Sequence, residues 1–219
     1  MEEHNTKIIQ WNCRGYRPNF EEIKNLIAQF NPYILALQET FLRANNAGSI
    51  RGYNHYFKTC VSDVNDRATG GCSLFIKNSI PHEVISLNTA LQAVAVKVSL
   101  HKTFTICTIY IPPHYNLAQC DIDNLVNQLS APYLLIGDFN AHSELWGCSS
   151  NDARGKKIEE LLQSSDICLL NSRPPTYLHP ASGSLTSIDL SLCSASIALD
   201  FAWCVHSDQC GSDHYPILN

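Results

Sequence analysis

In this chain, polar residues stand directly after apolar runs, and these positions could support chemistry. Asp138 and Asn140 follow Leu134-Leu135-Ile136, Glu39 follows Ile34-Leu35-Ala36-Leu37, and Asn12 follows Ile8-Ile9. Tyr110 ends the run around Cys107, Asp189 lies in Ser187-Ile188-Asp189-Leu190, and Asp213-His214 follow Gly211-Ser212. Strand ends along one sheet edge converge, so such residues can form a site on a rigid scaffold. Several carboxylates there favour a hard cation such as magnesium, which takes oxygen ligands and keeps waters for a phosphate substrate. A histidine beside them can donate to a phosphate oxygen while a carboxylate orients its ring. Asp138 and Asn140 are two apart, so an extended backbone would aim both to one side. Taken singly, each has a plainer reading. Asn12 would be a turn or cap residue, Glu39 a carboxylate favoured by a helix start, Tyr110 packing, and Asp213-His214 a capped turn.

The elements that must hold these residues are legible as strands and helices. Lys7 to Cys13 reads as a strand, and Phe20 to Phe30 as a helix with apolar residues at 20, 23, 26, 27 and 30. Asn31-Pro32 should end that helix, because proline disfavours the α region for the residue before it. Tyr33 to Glu39 reads as a buried strand with an acidic last residue, which makes an α/β opening. Cys72 to Lys77, Ala93 to Leu100 and Thr103 to Ile111 are β-branched and apolar. His101-Lys102 can turn the last two into a hairpin. Leu117 to Leu129 and Lys157 to Leu162 read as helices. Tyr133 to Ile136, Leu185 to Leu192, Phe201 to Val205 and His214 to Leu218 read as further strands. With no repeat and no long linker, the expectation is one domain spanning 1–219: two mixed β-sheets packed face to face with helices outside.

Composition narrows the class. The 219 residues are 45% apolar and 16% charged, enough for a sizeable core. A net charge of −5 does not favour tight nucleic-acid binding by bulk charge. It still permits a nuclease, whose metal site is itself acidic. None of the ten cysteines forms C-x-x-C, so a zinc ribbon is not expected. The polar start Met1-Glu2-Glu3-His4-Asn5 is not a signal peptide, and no N-x-S/T sequon occurs. A reducing cytosolic or nuclear compartment is the expectation. No apolar run approaches the roughly 20 residues of a membrane span. The dinucleotide G-x-G, P-loop, H-E-x-x-H and G-x-S-x-G motifs are absent.

Six motifs in order carry a resemblance. They are Gln10-Trp11-Asn12, Leu37-Gln38-Glu39-Thr40, Ile109-Tyr110-Ile111-Pro112-Pro113, Gly137-Asp138-Phe139-Asn140-Ala141-His142, Ser187-Ile188-Asp189-Leu190 and Ser212-Asp213-His214. In this order the chain resembles the exonuclease–endonuclease–phosphatase superfamily. Within it, the chain is most similar to the apurinic-type endonuclease domain of jockey-like non-LTR retrotransposons. The stretch from Gly137 to Gly147 is the most specific piece, and Pro175-Thr176-Tyr177 adds to it.

The resemblance implies a four-layered α/β sandwich with the site at one edge of the sheets. It makes Glu39 the main magnesium ligand, with Asn12 beside it and Asp213 a further acidic residue of the metal site; manganese is an alternative ion. Asp138 would orient or deprotonate the attacking water, assisted by Asn140. His214 would contact the scissile phosphate, Asp189 would pair with it, and Tyr110 would hydrogen-bond the phosphate. His142 and Thr176 are candidate substrate contacts, with a local structural role the plainer reading of His142. Trp146 and Trp203 read as packing, and Arg14-Arg17 and Lys156-Lys157 as solvated faces.

The expected activity is nicking of DNA to leave a 3′-hydroxyl that primes reverse transcription, with a reverse transcriptase downstream. Rival readings are an abasic-site repair endonuclease or related phosphoesterase and, from another class, an inactive remnant or DNA-binding module. The chain stops at Asn219, five residues past His214, where the family would continue its final strand. The expectation is therefore an excised domain or truncated copy of a longer polyprotein.

Overall fold

A computed structural model describes residues 7–60, 67–164 and 166–219, so the polar start at Met1 to Asn5 lies outside the described residues. The chain opens with β1 (Ile8–Asn12), α1 (Phe20–Phe30), β2 (Ile34–Gln38), β3 (Tyr53–Lys58), β4 (Cys72–Lys77) and β5 (His82–Ile85). Next come β6 (Gln92–Ser99), β7 (Thr103–Tyr110), α2 (Gln119–Asn127), β8 (Tyr133–Asp138) and α3 (Ala153–Ser164). It ends with β9 (Ile167–Leu169), β10 (Tyr177–Leu178), β11 (Leu185–Thr186), β12 (Asp189–Ser194), β13 (Cys204–Val205) and β14 (Ile217–Leu218).

Two six-stranded sheets result, ordered β13-β14-β1-β2-β4-β3 and β5-β6-β7-β8-β12-β9, beside a small β10-β11 hairpin. Strand alternation sorts the residues into layers. Ile8, Ile34, Ala36, Ile106, Leu134 and Ile136 fill the space between the sheets. Their neighbours Ile9, Leu35 and Leu37 face outward onto Ile23 and Leu26 of α1. Cys107, Ile109 and Leu135 face the opposite way, onto Ile122 and Leu125 of α2 and Ile158 and Leu161 of α3. Helix, sheet, sheet and helix form the four-layered sandwich expected from the motifs. Both faces of the central strands are covered, so they read as continuous apolar runs rather than alternating ones.

Buried glutamines join the two sheets. Gln10 Nε2 donates to the Gly137 carbonyl at 2.9 Å, and Gln38 Nε2 donates to Thr108 Oγ1 at 2.8 Å. Ser191 Oγ donates to Gln10 Oε1 and accepts from Trp203 Nε1, which gives Trp203 a packing place. Trp146 is fully buried.

The helix Phe20–Phe30 stands as expected; Asn31 ends it in the left-handed region at φ 49°, donating to Ile27 O. Other boundaries moved for local reasons. The second strand stops at Gln38, because Glu39 has φ 48° and leaves the ladder. The helix expected at Leu117 to Leu129 is shorter, and that at Lys157 to Leu162 begins earlier, at Ala153. Asp152 explains the early start, since its side chain accepts from Gly155 N at the first turn. The expected strand Leu185 to Leu192 is two strands in different sheets. The Thr176 hydroxyl captures the Ile188 and Asp189 amides and divides them. Of Phe201 to Val205 only Cys204–Val205 forms a strand, and of His214 to Leu218 only Ile217–Leu218 does, with His214 in an isolated antiparallel bridge to Tyr177. Pro216 has no N–H to give a ladder.

Candidate active site

The inner-face alternation that builds the core also carries polar residues to one end of the cleft between the sheets. In the second sheet Tyr110, Asp138 and Asp189 lie in register across three adjacent strands. In the first sheet Asn12 pairs with Gln38, and Glu39 follows directly. Asn12 shares its facing with Ile8 and Gln10, and Asp138 shares its own with Leu134 and Ile136. The two therefore meet across the cleft, where Asn12 Nδ2 donates to Asp138 Oδ2 at 2.8 Å.

Asp138 is fully buried at the end of β8. Its Oδ1 accepts from the Asn140 amide at 2.9 Å, an Asx turn that swings the chain out of the sheet. The strand reaches this point through Gly137, at φ 153°, where a Cβ would lie 1.9 Å from Ile109 O. Asn140 itself has φ 47°, and its Nδ2 donates to Ile111 O at 3.1 Å. The expectation that an extended backbone aims Asp138 and Asn140 together is thus corrected. A turn, not a strand, relates them, and Asn140 is tied to the exit of β7.

His214 lies between two carboxylates. Its Nδ1 is 2.8 Å from Asp189 Oδ2, and its Nε2 is 3.9 Å from Asp138 Oδ2. Thr176 Oγ1 donates to the same Asp189 oxygen at 2.7 Å, while Asp189 Oδ1 is buried without a partner among the described residues. Burial works against the His214 imidazolium, but the Asp189 carboxylate in contact with it, together with Asp138 and Asp213, outweighs this and raises the group to about 9. Burial, and then the Asp189 charge, push the Asp138 carboxyl up to about 7 against the opposite pull of His214. Asp138, Asp189 and His214 offer ligand atoms within 4.8 Å of one another. Both ring nitrogens already face carboxylates, however, so a cation among them would displace the histidine proton. The arrangement suits a proton-holding chain better than a metal cage.

Tyr110 is buried and its hydroxyl donates to Glu39 Oε1 at 2.8 Å. Burial, and then the Glu39 charge, push that hydroxyl far above its usual range, so it remains a donor. Glu39 directly follows Gln38, the register partner of Asn12, so a carboxylate and an amide oxygen stand at adjacent strand ends, the Asn12 Oδ1 also accepting from Arg14 N at 3.1 Å. The adjacent Cys13 thiol is no competitor: it points at Gln38 O, and burial pushes it up to about 12. The donor set fits a hard divalent cation.

Asp213 and Thr176 sit differently from their assigned roles, and His142 takes the local place of its plainer reading. Asp213 forms an ion pair with Arg14, Oδ2 to Nη1 at 3.1 Å, so its carboxylate is already partnered. Arg14 stays largely exposed in this pair, as the solvated-face reading expects, and Arg17 donates to Asn46 O. Thr176 is fully buried behind Asp189 rather than facing the opening. His142 Nδ1 pairs with Asp152 Oδ2 at 3.0 Å at the start of α3.

Several neighbours escaped the sequence reading. The Tyr177 ring lies 4.6 Å from the His214 ring. Ser212 Oγ donates to Asn12 O and accepts from His214 N, and Trp11 Nε1 donates to His214 O. Arg154 contacts the backbone around Asn140. Tyr177 and Ser212 at least lie inside or beside quoted motifs, whereas Arg154 carries no motif signal.

Comparison with known proteins gives the family and the fold. A family profile described as "Endonuclease-reverse transcriptase" matches residues 104–218. The chain belongs to this family, and the retroelement resemblance drawn from the motifs is borne out. It is 23% identical over 97% of its length to the probable RNA-directed DNA polymerase from transposon X-element of Drosophila melanogaster. It is 25% identical over 81% of its length to the RNA-directed DNA polymerase from mobile element jockey of Drosophila funebris. The chain spans only 24% and 19% of those two relatives. Among solved structures, the endonuclease domain of TRAS1, a telomere-specific non-LTR retrotransposon, superposes with a TM-score of 0.79 at 19% identity, covering 97% of this chain and 96% of that one. The 3′-5′ exonuclease NExo from Neisseria meningitidis gives 0.75 at 18% identity, covering 97% and 98%. These likenesses define the fold.

Proposed function

We propose that this chain is a divalent-metal-dependent endodeoxyribonuclease that nicks target DNA and leaves a 3′-hydroxyl to prime reverse transcription. The observation that carries the reading is the buried Asp189–His214–Asp138 chain opening beside Tyr110 and Glu39, in a member of an endonuclease–reverse transcriptase family.

Phosphodiester hydrolysis requires a base for the water, positive charge on the phosphate and relief for the leaving 3′-oxygen. Asp138, raised toward neutrality and held by Asn12 and the Asn140 amide, takes the proton of the attacking water. The water oxygen bonds to phosphorus as the bond to the 3′-oxygen breaks. His214, kept protonated by Asp189, donates to a non-bridging phosphate oxygen. Glu39 and Asn12 would hold magnesium or manganese, with Asp213 engaged by Arg14. When bound, the cation stabilises charge on the phosphate and on the leaving oxygen. Tyr110 is placed to turn its hydroxyl from Glu39 to the phosphate.

The same reading makes 1–219 one domain of a longer polyprotein with a reverse transcriptase domain downstream. The ten cysteines are all free, as suits a reducing nuclear or cytoplasmic setting. No helix among the described residues is long and apolar enough to cross a membrane. The decisive experiment is magnesium-dependent nicking of supercoiled plasmid, with the ends mapped. Cuts with 3′-hydroxyls, lost on chelation and in Asp138→Ala, are expected. Nicking by Asp138→Ala at the normal rate would sink the reading, and a strong preference for abasic duplex would move it to repair.

A further inference from the structure

Arg154 lies in the first turn of α3, half-buried, with its guanidinium under the loops that leave β7 and β8. Its Nη1 reaches Ile111 O at 3.4 Å and Phe139 O and Asn140 O at 3.1 Å each. Its Nη2 reaches Pro112 O at 3.0 Å, Pro113 O at 3.1 Å and Tyr115 O at 2.7 Å. These carbonyls converge because of the sequence. Two consecutive prolines supply acceptors and no amide donors, so the segment after Tyr110 answers only some of its own oxygens, with Tyr115 N donating to Pro112 O at 3.0 Å and Leu117 N to Tyr115 O at 3.1 Å. Nη1 spans the exits of both strands, and Nη2 takes the proline turn. Two nitrogens with two protons each share six acceptors, which leaves neither nitrogen free to clamp a substrate phosphate. A surface lysine or arginine on a helix would normally do the opposite and lie in solvent.

The base of the side chain is fixed as firmly as its tip. Gly155 is the next residue, and a Cβ there would stand 1.9 Å from His142 O, so the first turn of α3 lies directly on the loop after Asn140. Asp152 accepts from Gly155 N, and its own amide donates to His142 O. At the tip, Ile111 O is reached by Nη1 and also receives the Asn140 side-chain amide. That shared oxygen directly follows Tyr110 in the chain.

We propose that Arg154 is a positioning residue of the site: its guanidinium locks the exits of β7 and β8 together and so sets where Tyr110 and Asn140 stand. The inference rests on the nuclease reading above for its catalytic consequence, but not for its geometry. Lysine cannot replace arginine here, because three donors on one atom do not span two separate groups of carbonyls.

The test combines kinetics on plasmid nicking with hydrogen exchange, using Arg154→Lys, Asn140→Ala and the double variant. Arg154→Lys should melt as a folded protein and keep KM within about threefold while kcat falls about 10- to 100-fold, the size of effect that small misplacements cause. In the Asn140→Ala background the lysine substitution should cost less than about twofold more, because the two act through one unit. Amide exchange at Ile111 and Asn140 should quicken at least about tenfold in Arg154→Lys, with β1 unchanged. If the lysine variant does not fold, Arg154→Ala titrated with millimolar guanidinium replaces it, and kcat should recover while ethylammonium has no effect. Raised KM at constant kcat, or losses that multiply in the double variant, overturns the inference in favour of a direct substrate contact. Unchanged exchange at Ile111 and Asn140 overturns it whatever the nicking rate. Quickened exchange together with normal nicking by Asn140→Ala supports the clamp and refutes the catalytic part assigned to Asn140.

Discussion

Arg14 and Asp213 face each other as an ion pair of 3.1 Å at the mouth of the cleft, the arginine 57% exposed and the aspartate 16%. A carboxylate so partnered is a poorer cation ligand than a bare one. Removing the guanidinium should therefore strengthen metal binding. We expect Arg14→Ala to bind Mn2+ about two- to fivefold more tightly by calorimetry, the range set by a partly exposed pair. Asp213→Asn should cost far less affinity than Glu39→Gln. Equal losses in those two variants would restore Asp213 to the ligand set.

The placement of His214 sets the pH dependence of the reaction. The proposed mechanism requires ionised Asp138, raised to about 7, and protonated His214, raised to about 9. The sign follows directly: kcat/KM climbs as pH rises through about 7 and drops as pH passes about 9. Asp189→Asn removes the charge that supports the imidazolium, so the alkaline limb should move to lower pH. A pH–rate profile whose alkaline limb stays fixed in that variant would show that Asp189 does not hold the His214 proton.

His55 offers a test of stability instead of activity. It stacks on Phe75 with ring centroids 4.0 Å apart, and its Nε2 lies 2.9 Å from Ser73 Oγ. Burial lowers this imidazole from 6.5 to about 4. The unfolded chain therefore takes up a proton that the folded protein refuses. Stability is intact above about pH 6.5 and falls as pH drops toward 4, by less than about 3 kcal/mol in total given partial exposure. Urea melts at pH 4.5 and 7 should show a smaller acid loss for His55→Gln than for the parent. An identical loss in both proteins would exclude His55 as its source.

Gly137 admits no side chain, because a Cβ would meet the Ile109 carbonyl at 1.9 Å with φ at 153°. Gly137→Ala should separate β7 from β8 and cost at least about 3 kcal/mol. For a domain of this size that corresponds to a fall in Tm of roughly 6–12 °C. A thermal melt within 2 °C of the parent would show that the strand pair relaxes more freely than the packing indicates.

What could be read in advance followed from burial and period. Phe20 to Phe30 repeats every 3.6 residues and ends in Asn31-Pro32, so its bounds were legible. Runs such as Leu134-Leu135-Ile136 are covered on both faces, so they announced themselves without alternation. Tyr53–Lys58 and His82–Ile85 did not, because both are sheet-edge strands with polar, half-exposed residues. The break between Leu185–Thr186 and Asp189–Ser194 depends on a hydroxyl at Thr176, which no local pattern around Ser187 reveals. The site residues were legible as strand-end polar groups, but their relations were not. Asn140 looked like a strand neighbour of Asp138 and is a left-handed turn residue. Arg154 looked like nothing, since a side chain that binds only backbone carbonyls leaves no partner residue type to recognise.

The site draws on both ends of the described sequence. β14 pairs with β1, Trp11 donates to the His214 carbonyl, and Ser212 donates to that of Asn12. On a ribosome this imposes a schedule. Strands β2 to β12 can emerge and pair while the proposed centre still lacks His214, and the centre is complete only when the stretch around His214 closes onto β1. The proposed reaction therefore waits on closure of the stretch around His214 onto the first strand, a delay written into strand order and requiring no inhibitor.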